Sequence, residues 1–157
     1  MNDEPLAFFI TWTVYGTQLQ GDELGWRKIG EGDRLPAPLL ADWHRERLNH
    51  EIKLLDEQTR SIVEHEIRRC CQLREWKLWA VNARTTHVHV VVTAGGYDGA
   101  KVRDYLKANC TRVLREHFPN DFCDRMVWTR GGDWKCINKE DDLEAVIQYV
   151  TEAQDRQ

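Results

Sequence analysis

The sequence predicts an α+β fold: a ferredoxin-like (RRM-like) βαββαβ antiparallel sheet with helices on one face, plus a C-terminal helix. Three observations predict it. Residues 56–76 and 101–117 carry apolar side chains at helical spacing. Residues 6–15, 77–84, 87–93 and 127–137 are rich in β-branched and aromatic residues or alternate at period two. Their order is β, α, β, β, α, β, α, and without the last helix this is the ferredoxin-like order.

Each element has its own warrant. Residues 6–15 (LAFFITWTVY) read as a central strand, because both faces are apolar at its start. Residues 16–38 hold Gly16, Gly21, Gly25, Gly30, Gly32, Pro36 and Pro38 among many charges. They predict a long irregular loop, of a length that is uncommon inside a compact domain and often functional. Residues 39–49 predict a short helix. In 56–76, Ile62, Val63, Glu66, Ile67, Cys70 and Leu73 keep helical spacing, with Asp56 or Thr59 as the cap. Thr85 and Thr86 separate the strands 77–84 and 87–93, a spacing that suits a hairpin, and Gly95 and Gly96 end it. In 101–117, Val102, Tyr105, Leu106, Cys110, Val113 and Leu114 share one side. Residues 127–137 predict a last strand region turned at Gly131 and Gly132. Residues 141–154 predict a final helix opened by acids, which favour a helix N-terminus.

A chain of 157 residues, 41% apolar and 31% charged, is sized for a single domain, 1–157, and excludes global disorder. No apolar run approaches the roughly 18 residues of a membrane span. The first residues carry acids and a proline rather than a basic signal segment. Five cysteines, none in a Cys-x-x-Cys pair, predict reduced thiols in a cytoplasmic protein. The formal net charge is −4, yet residues 101–139 hold nine bases against five acids. A basic face on an acidic body is compatible with binding a phosphate backbone. A solvated helix face explains the same count.

The sharpest local signal is Thr86-His87-Val88-His89-Val90-Val91-Val92. Residues i and i+2 of a strand share a face. His87 and His89 then project side by side while Val88, Val90 and Val92 enter the core. Two neutral imidazoles at that spacing can chelate one divalent ion. The plain alternative is two histidines on an open sheet. A histidine-triad hydrolase needs a third alternating histidine, and Thr85 and Val91 stand in both places where it would fall.

The His-hydrophobic-His strand resembles the HUH motif of single-tyrosine transposases. Ile10-Thr11-Trp12-Thr13-Val14-Tyr15-Gly16-Thr17, Gly21-Asp22 and Gly25-Trp26 are similar to a REP-associated tyrosine-transposase group. So are Ala80-Val81-Asn82-Ala83-Arg84, Trp128-Thr129-Arg130-Gly131-Gly132 and Gln148-Tyr149-Val150. The resemblance runs over residues 8–154. It implies a metal-dependent single-strand DNA endonuclease and strand transferase, acting on hairpin-flanked DNA. It implies Tyr149, on the C-terminal helix, as a nucleophile that forms a 5′-phosphotyrosine intermediate. His87 and His89 are then ligands of Mg²⁺ or Mn²⁺. Relatives place an amide ligand one helical turn after the tyrosine; Ala153 stands there, which leaves Gln154 or Glu152 as the third ligand. Lys107, Arg112, Arg130 and Lys135 are candidate phosphate contacts. Trp12, Tyr15, Trp26 and Trp128 are candidates to stack unpaired bases, with core packing as the alternative. A homodimer, with the tyrosine serving the partner's histidines, stays open. So does a non-catalytic or domesticated single-strand nucleic-acid-binding module on the same fold.

Overall fold

The computed structural model describes residues 4–17, 26–28, 32–34 and 52–152. The helix expected at 39–49, most of the loop at 16–38, the side chain of Trp26, and Ala153 and Gln154 lie outside the described residues.

Strand β1 (Ala7–Thr13) is followed by two three-residue strands, β2 (Trp26–Lys28) and β3 (Gly32–Arg34), which pair antiparallel. They fall inside the stretch expected to be irregular. Three residues are too few for an alternating pattern to register in the sequence. Then come α1 (Glu57–Leu73), β4 (Lys77–Ala83), β5 (His87–Thr93), α2 (Gly99–His117), α3 (Pro119–Phe122), β6 (Asp133–Ile137) and α4 (Glu140–Glu152). The main sheet has the order β4-β5-β1-β6, antiparallel at every pairing, so the expected α+β fold is found.

Caps explain where the long helices begin. The Asp56 carboxylate accepts from the Thr59 N–H, and the Thr59 hydroxyl oxygen accepts from the Asp56 N–H, both at 2.8 Å. Each bond satisfies an otherwise orphaned donor. Asp98 caps α2 by accepting from the Lys101 N–H at 2.8 Å, so the helix starts at Gly99 and not at Lys101 as the apolar spacing predicts. A side chain at Gly99 would come within 2.4 Å of the Trp134 ring, which lies against it.

The last strand is shorter than the expected 127–137. Gly131 and Gly132 take positive φ (81° and 123°), which ends extended pairing before Asp133. Trp128 makes a single bridge to Val14.

The sheet has a different layer on each face. Phe8, Ile10, Trp12 and Val14 of β1 and its continuation join Val88, Val90 and Val92 against α1 and α2. On the opposite face Ala7, Val91 and Ile137 pack against Leu143 and Val150 of α4. The face away from α1 and α2 is therefore partly roofed by the terminal helix. Buried Glu66 ties α1 to α2 by accepting from Arg112 at 3.0 Å and pairing with Arg69. All five cysteines are free thiols. Burial pushes Cys70 to about 11 and Cys71 to about 12, so both are inert packing groups. Among the described residues no helix is long and apolar enough to cross a membrane.

Candidate active site

Central strand β5 carries the site. Its even residues fill the main core, so His87 and His89 face α4's side of the sheet with Val91. Pairing register sets Thr11 of β1 and Asn82 of β4 directly opposite His89, one on each side. The two imidazoles lie 4.6 Å apart between centroids, at 69°.

Each ring is held at Nδ1. Thr11 Oγ1 is 2.9 Å from His89 Nδ1, and Thr86 Oγ1 is 3.0 Å from His87 Nδ1. In the tautomer that donates from Nδ1, Nε2 carries the lone pair a metal ion takes, the usual arrangement of ligating histidines. His89 is only 6% exposed. Burial, then the nearby charges of His87 and Arg84, push its pKa down to about 4. His89 is neutral at physiological pH, which is the ligating form. This chemistry fits a divalent cation.

Tyr149 stands over the pair. Its ring is 5.7 Å from His89 and 6.2 Å from Phe9, and Phe9 is 5.6 Å from His89. It is 58% exposed, so a bulky substrate can reach it. The apolar face of α4 docks on the sheet through Leu143 and Val150, and Tyr149 follows from its place beside Val150. Asn82 Nδ2 donates to the Val150 carbonyl at 2.8 Å, joining β4 to the last turn of α4. His87, His89 and Tyr149 meet within one chain.

The other expected site residues separate into two groups. Trp12, Tyr15 and Trp128 are buried, and Trp12 and Trp128 meet edge to face at 5.9 Å. All three lie in the interior; Trp12 does so because the even positions of β1 face the helices. Lys107 is turned inward too. Its ammonium donates to the carbonyls of Thr129 (2.9 Å) and Gly131 (2.6 Å), and burial lowers its pKa. Arg112 is engaged by Glu66 and Glu116. Both cations thus have partners within the fold. Arg130 and Lys135 are exposed. Lys135 pairs in register with Phe9, which puts it on the histidine face.

Glu152 is exposed and accepts from Gln148 at 3.4 Å. Among the described residues no group of three His, Cys, Asp or Glu side chains that could hold a metal ion is found. Thr11, Phe9, Asn82 and Arg84 surround the site and were not foreseen as site residues. The signal for them is register, which names the cross-strand neighbours of His89 only once the strand pairing is known.

The described architecture is matched among solved structures. A protein from Deinococcus radiodurans R1 assigned as a transposase aligns with TM-score 0.50 at 14% identity, covering 96% of this chain and 92% of its own. A REP-associated tyrosine transposase bound to a REP hairpin aligns with TM-score 0.52 at 13% identity, covering 96% and 68%. At these identities the likeness is one of fold. Comparison with curated proteins yields no match. The family model described as "Transposase IS200 like" matches residues 47–153, a span that includes His87, His89 and Tyr149. With well over half of its length matched, the chain belongs to the IS200-like transposase family.

Proposed function

We propose that the protein cuts and rejoins single-stranded, hairpin-flanked DNA through a covalent tyrosine intermediate. The observation that carries this reading is the exposed Tyr149 ring standing 5.7 Å from buried, neutral His89, with His87 alongside. A nucleophile and a ligand pair on one sheet face are the parts that such a reaction needs.

The Tyr149 phenol oxygen attacks a backbone phosphorus and gives up its proton as the O–P bond forms. The P–O3′ bond breaks, and the departing 3′ oxygen takes up a proton. The product is a 5′-phosphotyrosine and a 3′-hydroxyl strand end. A second 3′-hydroxyl reverses the step and joins a new strand, with no external energy source. His87 and His89 would hold Mg²⁺ or Mn²⁺, which supplies Lewis-acid polarisation of the scissile phosphate. Gln154 is the proposed third protein ligand. Thr11 and Thr86 orient the two rings. Lys135 and Arg130 would meet the DNA backbone, and Phe9 offers an apolar edge beside the tyrosine.

The test uses Mn²⁺ and hairpin single strands from the flanks of the protein's own gene, read as a covalent adduct on a denaturing gel. Tyr149→Phe is expected to abolish the adduct. His87→Ala and His89→Ala are expected to slow its formation by about 10²-fold or more. An adduct that survives Tyr149→Phe removes the nucleophile assignment, and unchanged cleavage in His87→Ala removes the metal site. Ala153, at the position where relatives carry an amide ligand, favours a second reading, a binding module without catalysis. That reading predicts tight hairpin binding and no adduct.

A further inference from the structure

We infer that Asn82 is a positioning residue for Tyr149, acting by fastening the last turn of α4 to the strand beside His89. The inference rests on the proposed function for its catalytic meaning, while the fastening itself can be measured without it.

Tyr149 lies on α4 (Glu140–Glu152), beside the docked Val150. A helix docked through a few apolar side chains, here Leu143 and Val150, opens locally more easily than a core element. A nucleophile placed there needs something outside the helix to hold it. Asn82 Nδ2 donates to the carbonyl of Val150, the residue next to Tyr149, at 2.8 Å. The same side chain lies directly opposite His89 in the β4–β5 pairing. One amide thus spans the two halves of the site, the histidine strand and the tyrosine helix.

The amide is held in the orientation that this requires. Its Oδ1 accepts from Arg84 Nη1 at 3.4 Å, which turns Nδ2 toward Val150. A flipped amide would set its donor against a guanidinium and its acceptor against a carbonyl. The strand beneath is also pinned. Glu64 of α1 accepts from the Ala83 N–H at 2.9 Å, and the Arg84 N–H donates to the His87 carbonyl at 2.7 Å. Asn82 stands on a rigid support, and small displacements of a nucleophile cost large factors in rate.

Asn82→Leu keeps the volume and removes the hydrogen bonds. Two quantities are read on the full-length protein. One is the single-turnover rate of adduct formation at saturating hairpin DNA with Mn²⁺. The other is hydrogen exchange at the amides of residues 150–152. The expected result is a rate lower by tenfold or more, hairpin affinity within twofold, and faster exchange confined to the helix end. An unchanged rate overturns the inference, and so does a slower rate with unchanged exchange. Asn82→Asp, which keeps the acceptor toward Arg84 but cannot donate to Val150, is measured in the same way and decides the matter if the leucine variant does not fold. If the unmutated protein forms no adduct, the proposed function fails. The exchange arm then still supports or overturns the fastening.

Discussion

His89 shows how one side chain takes its chemistry from its surroundings. A histidine on a strand surface titrates near 6.5; burial and the charges of His87 and Arg84 bring His89 to about 4. As pH falls, the unfolded chain takes up this proton before the folded one. The His89 contribution to stability is therefore whole above pH 6.5, declines below it, and is gone below about 4. The loss over that window is on the order of 3 kcal/mol. Metal-free protein in chelator should lose melting temperature between pH 7 and 4.5, and His89→Gln should lose distinctly less. Parallel melting curves for the two proteins would show that His89 is not the group responsible. The histidine pair itself was legible in the sequence, because period two places i and i+2 on one face. Its burial was not, since that depends on Phe9 and on the helix that carries Tyr149 arriving over it.

Between elements, lysines of similar appearance do different work. Lys107 and Lys135 both lie in the basic stretch and both were candidate phosphate contacts. Lys107 is committed to two carbonyls of the Trp128–Gly132 turn, which Arg103 also holds through the Gly132 carbonyl at 2.9 Å. Lys107→Met leaves those carbonyls without their donor. It should cost about 1–3 kcal/mol in urea unfolding and leave the salt dependence of single-strand binding unchanged. Lys135→Ala should leave stability within about 0.5 kcal/mol and reduce the log–log salt slope of binding by about 0.7, read by fluorescence anisotropy across salt. A reduced slope in the Lys107 variant would reassign that residue to DNA. The sequence could not separate the two lysines. Charge counts say how many cations a stretch holds, and only packing says which of them already have partners.

At the scale of the whole molecule the sheet divides labour between its faces. The face toward α1 and α2 supplies stability. Ile10, Val88, Val90 and Val92 are fully buried there, each contributing about 1.5–3 kcal/mol by leaving water. Ile10→Ala should cost about 2–5 kcal/mol by urea denaturation, with the spread set by how far the cavity collapses. A cost below 1 kcal/mol would mean that this layer is not the main core. The other face gives up part of its area to α4 and keeps the rest for His87, His89 and Tyr149.

The sequence by itself determined the order of the main strands and long helices, the α+β class and the histidine strand, because each is written in local periodicity and in caps such as Asp56. Its motifs also pointed to the family to which the chain belongs. Only the tertiary structure decided that α4 roofs the histidine face, that Trp12, Tyr15 and Trp128 are core, that Lys107 and Arg112 are spoken for, and that Asn82 joins the two halves of the site. The physical reason is common to all four. Pairing register and helix docking bring together residues far apart in the chain, such as Asn82 and Val150, and no local pattern encodes which of them meet.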